Sequence, residues 1–511
     1  MKKGFTLIEL LAVILILGII ALIAIPTVNN ILKESRRGAF QSTLTNLEKA
    51  IEEKCTTEQI KNQEITTMYT IEGGVISPKL DIKGSLPDGT IYVSKNCEVS
   101  YTLSDNNFTG TKEIGGEVVI GEKGNTTTIY KESILNGTDP VLSDNLVPVT
   151  IDNDGTVRKA DLNSKWYSYA EKKWANAVIL SPTGKVEDDG TILEDSIESY
   201  FVWIPRYKYK LFDMGNYDGY LEETPTESNS KTIEIVFENK NTEVSVGTEV
   251  GQYHSHPAFQ AFNTNGFWVG KFETTGSTSS ITIKPNKYSL RNMEIKSIFE
   301  TAYNYKRDND SHMMKNTEWG AVTYLALSNY GINKELSVNN NSYFITGYAT
   351  VSGQDASGYD SNVTQPYNTE TGYQASTTGN ITGIYDMSGG GSEHMASYME
   401  GFLGESGFTE DPVTIYGSKY FDIYPSDSNN TSYKNRILGD ATGEMGPFYY
   451  YGSGYIQNNW WKDHSYFIRS DASWFLRGGT LNNGILAGPL NINCNSGEKN
   501  IYIAYRIVLT N

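Results

Sequence analysis

Cysteine and histidine are scarce in this chain, which has three cysteines and five histidines among 511 residues. So few cysteines exclude a disulfide-dense scaffold. His254 and His256 would share one face of a strand, but the sequence around them offers no third and fourth ligand. We therefore predict no metal site from these residues.

Positive charge is also in deficit, because 42 Lys and Arg face 60 Asp and Glu and give a formal net charge of −18. A nucleic-acid groove needs a basic patch to neutralise phosphates, so we exclude DNA and RNA as partners. The 35 tyrosines and 48 glycines, with a hydrophobic content of 38%, are typical of an ordered chain rich in strands and loops. The length favours two or three domains.

A single long apolar run lies near the amino terminus, where residues 6–25 carry Glu9 as their only charge. Its length is enough to cross a hydrocarbon core of roughly 30 Å, so we predict one membrane span. An ordinary secretory signal would end at a small-residue cleavage site, which is not seen before Pro26.

Glu9 is the feature that a plain membrane anchor leaves unexplained. A carboxylate within a bilayer costs on the order of 2.5–3.5 kcal/mol and therefore needs a partner. Cleavage after Gly4 would place a new amino group on Phe5, one helical turn from Glu9. In a stack of such helices that amine could instead meet the Glu9 of a neighbouring subunit.

The run "KKG" followed by "FTLIELL", with a helix-interrupting Pro26, resembles the class III signal of type IV pilins and pseudopilins. The resemblance implies a leader of residues 1–4, cleavage by a prepilin peptidase between Gly4 and Phe5, and N-methylation of Phe5. It also implies that Phe5, Glu9 and Pro26 serve filament assembly with other pilin subunits. The expected location is the cell membrane before assembly and an extracellular pilus on the cell surface afterwards.

An amphipathic helix follows Pro26, since apolar residues recur at steps of four, three, four and four. These residues are Phe40, Leu44, Leu47, Ile51 and Cys55. We predict a pilin helix over residues 5–62 and a small β-rich head over residues 63–140, with strands such as "IYVSK" and "VVIGE" on the apolar stripe. Those strands could alternatively belong to the next domain.

The three cysteines allow at most one disulfide. A bridge between Cys55 and Cys97 suits an exported chain, and two buried free thiols are an equally good interpretation. Cys494 is left without a partner in either case.

A turn-rich stretch, "NGTDPVLSDNL" at residues 136–146, predicts the main boundary, and we assign residues 145–511 to a large second domain. Strongly β-prone runs cover residues 200–211 and 266–276. The pattern at residues 315–331 predicts a helix with Gly331 as its stop.

Five motifs within residues 266–511 resemble, in the same order, those of the formylglycine-generating-enzyme family. They are "WVGKFETTG", "NTEWGAVTYL", "GIYDMSGGGSEH", "FLRGGT" and "AYRIVL". The catalytic domain of that family is a variant of the C-type lectin fold. The expected fold class is therefore α+β, with a long pilin helix, a small antiparallel sheet and a large lectin-like domain.

The departures from that family argue against its chemistry. Its oxidase members need paired cysteines after the closing Gly-Gly, whereas this chain has Thr480, Leu481, Asn482 and Asn483 there, with Cys494 as the nearby thiol. We predict that the chain is not an enzyme and holds no cofactor. The turn at residues 390–394 lacks the Asn and both Trp of the family's calcium-associated turn, so calcium binding stays an open alternative.

A binding surface is the expected use of such a scaffold, because the last sixty residues mix Tyr, Trp, Asn, Ser and Gly as paratopes do. We assign Trp474, Phe475, Ile501 and Ile503 to the core. The C-terminus also resembles the targets of diversity-generating retroelements, whose variable positions follow the "RGG". The candidate ligand-binding residues are Tyr455, Trp460, Trp461, Thr480, Leu481, Asn483, Leu486, Asn491, Asn493, Asn495 and Tyr502, and Cys494 would be a further variable position.

These observations predict a minor or tip type IV pilin-like surface protein whose lectin-fold head binds an external protein or carbohydrate for adhesion. One alternative is a pseudopilin of a secretion or DNA-uptake system that binds partner subunits. The other is a formylglycine-generating-type oxidase displayed on a pilus.

Overall fold

The computed structural model describes residues 35–510 except 62, 64, 83, 106, 113, 117, 123–129, 133–134, 136, 213–231, 351–363, 427–436, 445–448, 452–454 and 458–462. Gly4, Phe5, Glu9, Pro26 and the expected membrane span all lie outside these residues. Within the described ranges, no helix combines the length and the apolar character that a membrane crossing requires.

The chain divides into two compact units, Met1–Thr128 and Ile129–Asn511. The turn-rich stretch 136–146 belongs to the second of them. The carboxylate of Glu132 accepts hydrogen bonds from Ser168 Oγ at 2.7 Å and from the Tyr169 amide at 2.8 Å. The indole of Trp268 donates to the carbonyl of Val141 at 2.7 Å. These contacts attach Glu132 and Val141 to the larger unit.

The described residues of the first unit form one helix and six strands. Helix α1 covers residues 35–60. The strands are β1 (Met68–Glu72), β2 (Val75–Ser77), β3 (Asp88–Val93), β4 (Val99–Ser104), β5 (Phe108–Lys112) and β6 (Val119–Glu122). They form one antiparallel sheet in the order β2-β1-β3-β4-β5-β6.

The apolar stripe of α1 packs on this sheet. Phe40, Leu44, Leu47, Ile51 and Cys55 are each at most 4% exposed and share a core with the inward residues of the strands. Gly110 permits the close approach of β5 to α1, because a Cβ at position 110 would lie 2.3 Å from Leu44 Cδ1. The helical periodicity of the sequence therefore predicted the buried face of α1.

A disulfide joins Cys55 of α1 to Cys97, which lies in the turn between β3 and β4. Cys97 adopts a φ of +64° in that turn. The bond closes a chain segment of 42 residues within the first unit. Cys494, in the second unit, is a half-buried free cysteine.

The second unit is rich in strands. The first group is β7 (Val147–Ile151), β8 (Val157–Lys159), β9 (Asn176–Leu180), β10 (Thr191–Ile192), β11 (Ile197–Pro205), β12 (Tyr207–Lys210), β13 (Ile235–Phe237), β14 (Tyr253–Ser255), β15 (Gly266–Gly270), β16 (Thr275–Ser277), β17 (Ser280–Thr282) and β18 (His312–Met313). The second group is β19 (Tyr348–Thr350), β20 (Thr364–Pro366), β21 (Ser392–Met399), β22 (Asp422–Tyr424), β23 (Tyr449–Tyr451), β24 (Tyr455–Gln457), β25 (Trp474–Gly478), β26 (Gly488–Asn495), β27 (Ile503–Ala504) and β28 (Ile507–Leu509). Its α-helices are α2 (Ile295–Tyr305), α3 (Asn316–Ala326) and the short α4 (Pro412–Tyr416). Short 3-10 helices cover Glu194–Ser196, Pro257–Phe259, Arg307–Asn309, Gly372–Ala375, Ser418–Tyr420 and Gly484–Leu486.

Two sheets organise this unit. The larger is antiparallel, with the strand order β10-β8-β7-β9-β11-β15-β28-β18. The smaller runs β22-β21-β25-β26, and β27 pairs with β21. Strands β22 and β27 both lie parallel to β21. Three strands form the separate sheet β13-β12-β14, and the pairs β16-β17, β19-β20 and β23-β24 form two-stranded sheets.

Arg506 links the two main sheets, since it lies between β27 and β28, which belong to different sheets. Its Nε donates to Glu393 Oε2 on β21 at 3.1 Å, and its Nη1 donates to the carbonyl of Gly270 on β15 at 2.7 Å. Both Arg506 and Glu393 are fully buried. A buried, multiply bonded ion pair of this kind fixes the relative position of the elements that supply it.

Helix α3 is buried on all sides, from Asn316 to Ala326. Gly320 allows the chain at Gly439 to pack directly against α3. A Cβ at position 320 would lie 2.0 Å from the Gly439 carbonyl oxygen. The prediction that Gly331 ends this helix is wrong. The chain leaves the helix after Ala326 and turns, and the Gly331 amide donates to the Ser328 carbonyl at 3.2 Å.

The molecule thus has an amino-terminal helix packed on a small sheet and a large β-rich unit of mixed helix and strand content. This agrees with the expected fold class at that level of detail.

Candidate ligand-binding groove

A groove of about 400 Å³ opens on the second unit. Its walls come from four segments that lie outside regular strands and helices. The lining residues are Tyr288, Arg291, Ser342, Tyr343, Phe344, Leu481, Asn482, Ile501 and Tyr502. The volume falls in the range of small-ligand sites.

Apolar and aromatic side chains are exposed along this groove. Tyr288 is 65% exposed, Tyr343 is 60% exposed and Ile501 is 54% exposed. Tyr502 is 44% exposed, and its ring centre lies 6.0 Å from that of the buried Phe344. Clustered exposed apolar side chains mark interaction sites more often than scattered ones do.

Arg291 is the cation of the groove. Its guanidinium carbon lies 3.7 Å from the centre of the Phe344 ring, and its Nη1 donates to the Ile501 carbonyl. Its Nε is buried without a hydrogen-bond partner. Within the described part of the chain, no carboxylate lies within ion-pair distance of this guanidinium. Burial lowers the pKa of Arg291 from its ordinary value.

The buried carboxyl group of Glu273 accepts hydrogen bonds that hold two walls of the groove in place. Its Oε1 accepts a hydrogen bond from the Gly391 amide at 2.8 Å, and the neighbouring Gly390 carbonyl accepts one from the Leu481 amide at 2.9 Å. Its Oε2 accepts a hydrogen bond from the Ser289 hydroxyl. The Ser289 amide donates to the Phe344 carbonyl at 3.1 Å. Glu273 therefore positions both Leu481 and Phe344.

The carboxyl groups of Glu273 and Asp386 are both buried, and burial disfavours their charged forms. Burial raises the pKa of Glu273 well above its ordinary value, and the nearby Asp386 and Glu393 raise it further. Burial therefore disfavours the ionised form of Glu273, which weakens its charge interaction with Arg291. Asp386, whose pKa burial also raises, accepts hydrogen bonds from the Asn339 side chain at 2.9 Å and the Gly347 amide at 2.8 Å.

Calcium does not suit the turn at residues 390–394, because protein groups already fill it. A Cβ at Gly390 would lie 2.6 Å from Glu273 Oε1, and Arg506 engages both oxygens of Glu393. Across the described residues, no three His, Cys, Asp or Glu side chains converge as metal ligands would.

Two of the residues proposed for ligand binding, Leu481 and Tyr502, line the groove. Thr480 and Asn483 instead close the adjacent turn, where the Thr480 hydroxyl donates to Asn483 Oδ1 at 3.0 Å. Asn491 is buried and donates to the carbonyl of Leu486 at 2.7 Å.

The other proposed residues of this region lie on strand β26. Asn493, Cys494 and Asn495 are half-buried there and pair with Leu476, Phe475 and Trp474 of β25. Burial raises the pKa of the Cys494 thiol to about 12, which disfavours the reactive thiolate. Trp460 and Trp461 lie outside the described residues, and only the backbone of Tyr455, in β24, is described.

The assignment of Ile501 to the core is wrong, whereas Trp474, Phe475 and Ile503 are buried as predicted. Alternation along a strand suggested that Ile501 and Ile503 face the same way. Strand β27 begins only at Ile503, and Ile501 precedes it in a turn. Ile501 is therefore free to line the groove.

Sequence reasoning missed most of the groove, namely Tyr288, Arg291, Ser342, Tyr343, Phe344 and Asn482. These residues belong to no motif and come from distant parts of the chain. The isolated aromatic pair Tyr343–Phe344 within an Asn- and Ser-rich loop was the one available signal.

Comparison with known protein families identifies one matching region. Residues 1–25 match the family model of the prokaryotic N-terminal methylation motif. No curated protein matches the chain at a significant level. The matched segment contains Gly4, Phe5 and Glu9, so the chain begins with a type IV pilin-like prepilin signal. This motif supports a pilin-like surface protein that is processed by a prepilin peptidase and assembles with other pilin subunits.

Proposed function

We propose that the protein is a minor or tip subunit of a type IV pilus-like filament and that its second unit binds an external ligand through the groove. The observation that carries the proposal is the groove itself, in which exposed tyrosines surround an arginine without a carboxylate partner among the described residues. Large aromatic side chains with arginine are the residues that dominate binding hot spots.

A lectin-like scaffold is part of this proposal. The five ordered motifs of the formylglycine-generating-enzyme family support it, as does the link that Arg506 makes between the "AYRIVL" and "SEH" motifs through Glu393. The second unit acts as a binding module and not as an oxidase, because Cys494 has neither a second thiol nor an accessible thiolate.

A minor or tip position follows from size. At 56.8 kDa, the chain is bulky for a subunit repeated along a fibre. The methylation motif provides for assembly, and the groove provides for the contact with the ligand. The ligand is an external protein or carbohydrate, and its recognition results in adhesion.

Two isoleucines with nearly equal exposure allow a matched test. Ile501 lines the groove and is 54% exposed, whereas Ile415 in α4 does not line it and is 53% exposed. Cells that carry Ile501→Asp should lose attachment to wells coated with mucin or fibronectin on which wild-type cells attach. Cells that carry Ile415→Asp should attach as wild type does, and both should show normal filament numbers by electron microscopy. Equal attachment of the two variants would contradict the proposal.

A further inference from the structure

We propose, on the basis of the function proposed above, that the ligand of the groove is an acidic sugar, whose carboxylate pairs with Arg291 while its ring packs on the exposed tyrosines. The positive charge of Arg291 favours a ligand with a carboxylate. The shape of the groove favours a sugar ring.

Among the residues that the structure describes, no carboxylate lies within ion-pair distance of Arg291. Its hydrogen-bond acceptor is the neutral carbonyl of Ile501, and its nearest aromatic contact is Phe344. Glu273 lies below the groove, where its carboxyl group is bound by Gly391 and Ser289. A partly buried guanidinium without an anion is stabilised by any ligand that brings one.

Two neighbours constrain the orientation of Arg291. Contact with the Phe344 ring and the bond to Ile501 restrict the guanidinium to one position. Of the five N–H donors of an arginine, one donates to Ile501 and the Nε donor is buried, so the remaining donors lie on the two Nη atoms. A planar, pre-oriented fork of this kind matches a carboxylate better than a single point charge does.

The shape of the groove favours a compact ligand over an extended peptide. The lining residues lie outside the regular strands, so they offer no strand edge to which a peptide could add. The groove volume of about 400 Å³ suits one or two sugar rings. Tyr288, Tyr343 and Tyr502 provide flat apolar faces, and Ser342 and Asn482 provide polar groups for hydroxyls.

The first experiment needs no variant. Saturation-transfer difference NMR on the full chain in detergent micelles should show binding of D-glucuronate or N-acetylneuraminate. The uncharged D-glucuronamide should bind roughly tenfold to a hundredfold more weakly than D-glucuronate, as expected for the loss of a charge-assisted pair. Binding of neither acid, or equal binding of the acid and its amide, would overturn the proposal.

The second experiment assigns the binding to Arg291. Arg291→Gln should reduce binding of the acid roughly tenfold or more, and Arg291→Lys should restore part of it because charge returns without the planar fork. Arg158→Gln is the matched control, since Arg158 lies on β8 away from the groove and pairs with Asp152. Retained acid binding in Arg291→Gln would refute the assignment.

Different results would contradict the binding function of the groove and the acidic-sugar ligand. If the Ile501→Asp cells lose attachment but no acidic sugar binds, the groove is a binding site and the acidic-sugar class is wrong. If Ile501→Asp leaves attachment unchanged, the proposed function itself fails.

Discussion

The guanidinium carbon of Arg291 lies 3.7 Å from the centre of the Phe344 ring. Phe344 is 7% exposed and adopts a φ of +55°, a backbone region that is unfavourable for a bulky side chain. The ring is held there by Ser289, whose amide donates to the Phe344 carbonyl at 3.1 Å. The structure thus holds Phe344 in a strained conformation in which its ring lies against the cation of the groove.

Phe344→Leu tests this relationship. Leucine keeps an apolar contact but removes the attraction between the ring and the guanidinium, which is worth about 0.5–1 kcal/mol at an exposed site. Binding of D-glucuronate should weaken about twofold to fivefold, while far-UV circular dichroism should be unchanged. An affinity equal to that of the wild type would show that the ring does not orient Arg291.

Two helical glycines should respond in opposite ways to the same change. Gly320→Ala should destabilise the second unit by about 1–3 kcal/mol, although alanine favours helices, because the new Cβ would lie 2.0 Å from the Gly439 carbonyl oxygen. Gly38→Ala in α1 should stabilise the first unit by about 0.5–1 kcal/mol, since nothing lies within 4 Å of its Cβ position. Thermal unfolding measures both, and a stabilised Gly320→Ala variant would contradict the packing of α3.

The disulfide should be a main source of stability for the first unit. Closing a segment of 42 residues contributes about 4 kcal/mol in the chain-entropy description. Cys55→Ser together with Cys97→Ser should therefore lower the unfolding midpoint, and the double variant should no longer respond to reductant. Cys494→Ser is the control and should respond to reductant as the wild type does, because Cys494 is free.

The buried carboxyl group of Glu444 should make the stability of the second unit depend on pH. It accepts hydrogen bonds from the Tyr209 hydroxyl, from the Tyr324 hydroxyl at 2.7 Å and from the Gly439 amide at 3.0 Å. Burial raises its pKa from an ordinary value of 4.5 to about 7. The folded state therefore binds the Glu444 proton more tightly than the unfolded state does. The free energy of unfolding should fall by about 3 kcal/mol from this group as pH rises from 4.5 towards 7.

Glu444→Gln should remove that part of the pH dependence. Thermal unfolding of the wild type should show a lower midpoint at pH 8 than at pH 5, and the difference should shrink in the variant. Parallel pH profiles for the two proteins would mean that Glu444 is ionised in the folded state.

Much of the first unit could be predicted because its signals are local. The recurrence of Phe40, Leu44, Leu47 and Ile51 follows helical periodicity, and all four residues are buried. The second unit gives a comparable case. Its strongly apolar run at residues 200–204 forms the centre of β11, which lies between β9 and β15. Local periodicity is decided by neighbours in sequence, so one sequence is enough to reveal it.

The groove could be predicted only in part because it depends on long-range contacts. Leu481 and Tyr502 lie in the C-terminal region that the family resemblance indicated, but Tyr288, Arg291 and Tyr343 reach the groove through the tertiary fold. Ile501 was misassigned because a turn before β27 interrupts the alternation. No spacing rule connects residues that are about 200 positions apart.

The most direct test of the account is mass spectrometry of this protein in filaments sheared from the surface of the cells that produce it. We expect its amino-terminal peptide to begin at Phe5 with a methylated α-amino group, together with peptides from the second unit in the same filament fraction. An amino-terminal peptide that begins at Met1, or a protein that stays in the membrane fraction of cells with intact filaments, would contradict the account.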